Sequence, residues 1–353
     1  MATIKDISRS ATIVDVAEIA GVAVSTVSRV INGGYASLEV REHVMEAIKH
    51  LHFEPSQTAR AMRTNRTMTV GVVLPTLLNP YFPSLVHSIK NRLWSYEYTT
   101  VVLDTDLDPR KERDAVVILR RQRVDGVILV SVSKAKFLVN MLTQVGIPVV
   151  LVDEGITSLQ VDQVTVDHYK GAKEAMEWAK RYGHTNIGHL AGSRNAKSAN
   201  LRLHAYLDVM GWKRFNLEEI ENHSRLPIIC ADYDFDKGRD ATKILLDKHP
   251  RLTCLFAAND TSALGALYYL SSQRKRVPDD IAIIGFDDIQ MASLVHPSLT
   301  TIKQPVDEIG EVGAQLLLER IEERIECIKN PGIKPNPAKQ ITFSPVLVPR
   351  ESC

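Results

Sequence analysis

From Met68 onward the chain alternates short, unbroken apolar runs with segments whose apolar residues recur at helical spacing, a rhythm few folds accommodate. The runs are Thr69–Leu74, Thr100–Leu103, Val127–Val130, Val149–Val152, Ile187–Leu190, Leu252–Ala257 and Ile281–Ile284. Helical patterns lie between them at Phe82–Trp94, Lys111–Arg121, Lys170–Tyr182 and Asp236–Leu246. A strand apolar throughout is buried on both faces, which implies parallel sheets covered by helices on either side. The region is long for one doubly wound unit, and the break after Asp153 divides it into two α/β lobes. Ligands of such folds bind beyond the C-terminal ends of the strands, here between the lobes.

The first sixty-odd residues follow a different pattern. Thr12 and Asp15 form a capping-box-like start before Val16, Ile19 and Ala20, and Gly21 stops that helix. Val24, Val27, Val30 and Ile31 make a second helical set that ends at Asn32-Gly33-Gly34. A third helix starts at Ser37 and runs through Val40, Val44, Ala47 and Ile48, with Leu51 and Phe53 continuing its contacts. Two short helices joined at Gly21-Val22-Ala23 fit a helix-turn-helix, in which Ala17, Ile19, Val27 and Val30 hold the pair together. Val24, Ser25, Ser28 and Arg29 are then exposed on the second helix. An Arg there can donate two hydrogen bonds to a guanine, and a small apolar side chain can meet a thymine methyl.

The segment Pro55–Arg66 carries three arginines and no acid. It is either a solvated tether or a short helix that orders against phosphates, and its polar flanks around Met62 favour the helix. Residues 2–7, Ala-Thr-Ile-Lys-Asp-Ile, echo residues 11–16, but only the second copy leads into a helix pair. The first copy reads as a leader or as an arm that touches DNA.

The formal net charge of +1 points to no particular partner, so only the local distribution of charge speaks for nucleic acid. Cys230, Cys254, Cys327 and Cys353 are widely spaced, which argues against a disulfide framework and a metal site. No apolar stretch is long enough to span a membrane and no export signal opens the chain, so a cytoplasmic protein without membrane partners is expected. There is no G-x-S-x-G elbow, phosphate-binding Walker loop or H-E-x-x-H segment, so no enzyme and no cofactor are expected.

The stretch Thr12-Ile13-Val14-Asp15-Val16-Ala17-Glu18-Ile19-Ala20-Gly21-Val22-Ala23-Val24-Ser25-Thr26-Val27-Ser28-Arg29-Val30-Ile31-Asn32 closely resembles the helix-turn-helix signature of the lactose/galactose repressor family. The likeness spans essentially the whole chain. It implies a helix-turn-helix domain over residues 11–54, a hinge helix over 55–66, and a periplasmic-binding-protein-like core over 67–349. The core would comprise a first lobe of about 67–160 and 291–325 and a second of about 161–290 and 326–349.

The resemblance also implies a homodimer on pseudo-palindromic double-stranded operator DNA. Its DNA-contacting set would be Thr12, Val24, Ser25, Thr26, Ser28, Arg29 and Asn32, joined by Ser56, Thr58, Ala59, Arg60, Met62 and Arg63 of the hinge. Met62 occupies the position of the family's leucine wedge, and Ala23 stands where serine is common. Val24 and Ser25 resemble the pair that sets operator preference.

In the core, Asn79-Pro80-Tyr81-Phe82 resembles the family segment that lays an aromatic ring over the effector. Tyr81 and Phe82 are both candidates, for that role or for packing. Asp153 either caps a turn or faces the cleft. Arg202 and Asp287 resemble the family's effector-binding arginine and aspartate. Asn259 reads as a cleft residue beside a helix-capping Asp260, and Asp288 as a turn stabiliser. Tyr233 is a further aromatic candidate. An Arg, an Asn and one or two Asp around aromatic faces suit a sugar or sugar derivative; Arg202 also permits a sugar acid or phosphate, and a purine is the alternative. The remaining readings are a repressor with a protein co-regulator and a solute-binding protein without a regulatory role. The C-terminal residues carry no leucine heptad that would add a tetramer-forming coiled coil.

Overall fold

The computed structural model describes residues 11–54, 66–130, 135–153, 160–194 and 196–353. The expected hinge contacts Ser56, Thr58, Ala59, Arg60, Met62 and Arg63, and the N-terminal echo, lie outside the described residues. The chain divides into two compact units, with the boundary between Thr67 and Met68.

The first unit contains α1 (Ile13–Ala20), α2 (Val24–Ile31) and α3 (Leu38–His50). The Thr12 hydroxyl accepts from the Asp15 amide while the Asp15 carboxylate accepts from the Thr12 amide at 2.6 Å, a complete capping box. Gly21 ends α1 with φ +63°, a conformation that costs any residue with a Cβ free energy. Val16, Ala17, Ala20, Val27, Val30, Val44, Ala47 and Phe53 form the core of this unit.

Ile19, expected in that core, is 52% exposed. Val16, Ala17 and Ala20 share one face of α1, and at about 100° per residue Ile19 falls off its edge. Removing the cap by Thr12→Ala is expected to destabilise this unit by about 1 kcal/mol. Amide hydrogen exchange in α1 should then quicken several-fold, and unchanged exchange would show that the cap contributes nothing.

The second unit holds two parallel sheets. The first has the order β11-β5-β4-β3-β1-β2, formed by β1 (Thr69–Leu74), β2 (Thr99–Asp104), β3 (Gly126–Val130), β4 (Val149–Asp153), β5 (Asp162–Val166) and β11 (Gln340–Phe343). It is covered by α4 (Tyr81–Trp94), α5 (Pro109–Arg121), α6 (Ala135–Thr143) and α12 (Val306–Lys329). The second sheet has the order β7-β6-β8-β9, from β6 (Ile187–Ala191), β7 (Ile228–Cys230), β8 (Cys254–Ala257) and β9 (Ala282–Ile284). Around it lie α7 (His168–Arg181), α8 (Lys197–Met210), α9 (Phe235–Lys248), α10 (Asp260–Ser272) and α11 (Gln290–Leu294). An antiparallel pair, β10 (Thr301–Lys303) with β12 (Val346–Val348), joins the second lobe.

The central strands are Val- and Ile-rich and buried along their length. Each such side chain contributes about 1.5–3 kcal/mol on leaving water. The lobe boundaries differ from those expected. Asp162–Val166 and Gln340–Phe343 pair with the first sheet, and residues 291–303 belong with the second lobe. The physical reason is register: β5 continues the parallel ladder beside β4, and β11 extends it from far along the chain. The chain therefore passes between the lobes after β5, before α12 and after β11.

Candidate effector cleft and DNA-reading helix

On α2, Val27 and Val30 point into the core while Val24, Ser25 and Arg29 are exposed and Thr26 and Ser28 are half-buried. Val24 is 41% exposed although apolar, as a surface that reads a methyl group requires. No acid lies on α2 and Arg29 closes its last turn. Ala23 forms the N-cap without a side-chain hydrogen bond, and the Thr26 amide turns back to donate to the Ala23 carbonyl at 2.8 Å. Among the described residues, Thr12, Ser28 and Asn32 of the expected DNA-contacting set are engaged within the chain. The Thr12 hydroxyl belongs to the capping box, and the Asn32 side-chain amide donates to the Ser28 carbonyl.

In the second unit, a cleft of about 390 Å³ opens at the C-terminal ends of strands from both sheets. Tyr81 and Phe82 open α4 behind β1, Asp153 ends β4, Arg202 stands on α8, and Asp287 follows β9. Parallel strands end in a common direction, so residues at or just beyond several of these ends line this space.

Arg202 is the electrostatic centre. It is buried, its guanidinium stacks 3.7 Å from the Phe286 ring centroid, and it donates to the Ala258 carbonyl. A second nitrogen donates to His168 Nδ1 at 3.2 Å, and Asp287 Oδ1 lies 3.7 Å away. Because Arg has only donors, His168 Nδ1 is the acceptor and Nε2 carries the proton. Burial, reinforced by the Arg202 charge, pushes the imidazole down to about 4, so it is neutral near pH 7.

Asp153 accepts from the Tyr81 hydroxyl at 2.9 Å. Burial and the neighbouring Asp153 carboxylate raise the phenol well above its ordinary range, so Tyr81 remains a donor. Tyr81 packs in the first lobe's core with its ring edge-on to Phe82, and half-buried Phe82 also lines the cleft. Tyr233 stands opposite, its hydroxyl 3.2 Å from Ser198 Oγ. Gly192 is required beneath it, since a Cβ there would lie 2.4 Å from the ring. Asp153, Tyr233 and Asp287 have φ values of +74°, +63° and +120°, each costing about 1–3 kcal/mol, strain of the kind that gathers at binding sites.

Asn259 corrects the sequence reading. Its side chain accepts from the Ser262 amide at 3.0 Å and donates to the Tyr233 carbonyl at 3.2 Å, outside the cleft lining. It is thus the N-cap of α10. Asp260, expected to be the cap, is buried against the Thr301 hydroxyl at 2.5 Å and the Ile289 amide. Either residue can cap a helix, and only the backbone direction at Asn259 decides between them. Asp288 holds Arg350 at 2.6 Å.

His168 and Gln304 were missed. Gln304 follows a short strand and donates to Asp287 Oδ1 at 2.7 Å, and both are polar residues just past strand ends, the one signal available to find them.

Burial raises the Asp287 carboxyl to about 7, against the lowering effects of Arg202 and of the Gln304 hydrogen bond. Between the ordinary carboxylate range and about pH 7 the folded chain holds a proton that the unfolded chain has released. The stabilisation is therefore complete below that range and is lost as pH rises through about 7. Asp287→Asn should accordingly lower the dependence of the melting temperature on pH between about pH 5 and pH 8. Identical pH profiles for variant and parent would contradict this.

A helical unit with a reading helix, followed by a two-lobed core around a charged cleft, defines a ligand-controlled DNA-binding regulator. Residues 12–56 match the bacterial regulatory proteins of the lacI family, and residues 178–353 match a periplasmic binding protein-like domain. The ribose operon repressor of Halalkalibacterium halodurans is 35% identical over 315 residues, covering 89% of this chain and 91% of that protein. The HTH-type transcriptional repressor PurR of Haemophilus influenzae is 30% identical over 344 residues, covering 97% and 98%.

Among solved structures, the lac repressor dimer bound to operator and the anti-inducer ONPF is 26% identical with a TM-score of 0.81, covering 98% of this chain and 99% of that one. A LacI family transcriptional regulator from Enterococcus faecium with bound ribose is 27% identical with a TM-score of 0.67, covering 80% and 98%. The chain belongs to the lacI family of bacterial transcription regulators, and is a DNA-binding protein rather than an enzyme. No helix among the described residues is long and apolar enough to cross a membrane.

Proposed function

We propose that this protein is a homodimeric repressor whose affinity for a pseudo-palindromic operator is switched by a sugar, with D-ribose the first candidate. The observation that carries the reading is the grouping of Arg202, Asp153 and Asp287 with the Phe82 and Tyr233 rings in one cleft. Carboxylates accept from neighbouring hydroxyls, a guanidinium donates to ring or hydroxyl oxygens, and an aromatic face covers the apolar face of a sugar. The ribose bound to the Enterococcus faecium regulator and the ribose operon repressor among the relatives support the same choice.

Val24, Ser25, Thr26, Ser28 and Arg29 read the major groove, Thr12 and Asn32 approach the backbone, and residues 55–66 form the hinge with Met62 as its wedge. Effector binding favours one relative angle of the lobes. That angle sets whether the two subunits present their hinges to DNA together, so effector and operator affinities are linked.

Calorimetric titration of the full-length protein with D-ribose, other aldoses and purine bases tests the effector. At least one aldose should bind with Kd in the range of about 1 μM to 1 mM. Binding of a purine base with no response to any aldose would overturn the sugar assignment.

A further inference from the structure

The turn that ends α2 closes onto Arg29. Asn32 caps the helix and Gly33 follows in the left-handed conformation, with φ +72°. The Gly33 amide donates to the Val30 carbonyl at 3.1 Å, and the Gly34 amide donates to the Arg29 carbonyl at 2.8 Å. This pair of bonds is a Schellman motif, which brings the second residue beyond the cap against the third residue from the helix end. Here those two residues are Gly34 and Arg29.

Their approach is closer than a side chain at position 34 would permit. A Cβ on Gly34 would lie 2.6 Å from Arg29 Cγ, 3.1 Å from the Arg29 carbonyl oxygen and 3.6 Å from Cδ, so the arginine stem lies on the glycine backbone. The turn is also tied from its other side, because half-buried Arg41 on α3 donates to the Gly34 carbonyl at 3.1 Å. Gly34 is thus held by α2 through its amide and by α3 through its carbonyl, and cannot easily retreat. Rotation about χ1 is what moves Arg29 Cγ, and a helix leaves an arginine mainly two χ1 wells. A methyl group at position 34 closes the well that Arg29 occupies and drives the stem into the other, which swings the guanidinium away.

We propose that Gly34 is a positioning residue for operator recognition, whose missing side chain seats the Arg29 stem and so aims the guanidinium at one base pair of each half-site. The inference rests on the reading of Arg29 as a base contact and deepens it. An unseated arginine gives up its rotamer freedom on docking, whereas a seated stem gives up less. A bidentate contact to a base also requires placement to within about 0.5 Å, which the seat supplies.

The test is a double-mutant cycle on the full-length protein. Fluorescence anisotropy measures binding to an operator selected from randomised duplex DNA and to duplexes altered at single positions. Gly34→Ala should weaken operator binding about tenfold and relax preference at the same base pair that Arg29→Ala relaxes. In the Arg29→Ala background no stem remains to displace, so Gly34→Ala should change affinity by less than about twofold. A glycine that serves only to close the turn would cost the same in both backgrounds and leave base preference intact. That additive result, or parental binding by Gly34→Ala, would overturn the proposal while the reading of Arg29 stands. Thermal unfolding covers the case in which Gly34→Ala alone does not fold. Recovery of folding in the double variant then places the clash at the Arg29 side chain, as proposed, and failure of both places it at the Arg29 carbonyl and overturns the proposal. If Arg29→Ala relaxes no preference, the base-contact reading fails and the inference fails with it.

Discussion

Replacing Arg202 by leucine is expected to abolish the response to effector while operator binding persists. The guanidinium joins Asp287, His168, the Ala258 carbonyl and the Phe286 ring, and it lies in the cleft lining. Effector affinity should fall by at least about 100-fold, because a buried charge-assisted hydrogen bond is lost and its acceptors are left unpaired. Stability should fall as well, by about 3 kcal/mol, the usual cost of removing one partner from a buried ion pair. Thermal unfolding of the variant alongside calorimetry separates the two effects. A folded variant with parental effector affinity would remove Arg202 from the site. Lysine is not a substitute, since one ammonium cannot stack on Phe286 and also reach two separate acceptors.

The second large effect is expected at Arg29. Arg29→Ala should weaken binding to the selected operator by about 10- to 100-fold, the worth of one bidentate base contact. Preference at one base pair of each half-site should relax at the same time. Fluorescence anisotropy on the operator and on duplexes altered at single positions measures both. A uniform loss across sequences, with the salt slope reduced by about one, would make Arg29 a phosphate contact instead. No loss at all would remove α2 from the DNA interface.

Much of this architecture could be read from the chain because its strongest signals are local. Val127–Val130 and Val149–Val152 are apolar on both faces, and the structure buries them in the middle of the first sheet. Thr12 and Asp15 announce a cap that forms as written. The strands that escaped notice are short or polar. β5 carries Gln163 and Thr165, and β11 carries Gln340 and Thr342, because these residues line a chamber rather than a core. No periodicity shows that a strand near residue 340 pairs with one near 163, so the lobe boundaries were misplaced.

The cleft was legible to the extent that polar residues follow apolar strands, as at Asp153 and Asp287. Which of two adjacent polar residues faces the cleft was not. Asn259 takes the capping role expected of Asp260, while Asp260 turns inward to the Thr301 hydroxyl and the Ile289 amide, and neither lines the cleft. His168 bonds Arg202 and Gln304 bonds Asp287, contacts that belong to the folded chain.

The central claim is that one chain couples sequence-specific DNA binding to a small molecule held between the lobes. Selection of binding sites from randomised duplex DNA by the full-length protein, with and without D-ribose and its phosphate esters, tests it most directly. The account predicts enrichment of a two-half-site palindrome whose affinity shifts by about fivefold or more when effector is present. Weak, salt-sensitive binding without sequence preference, unchanged by every ligand, would contradict it.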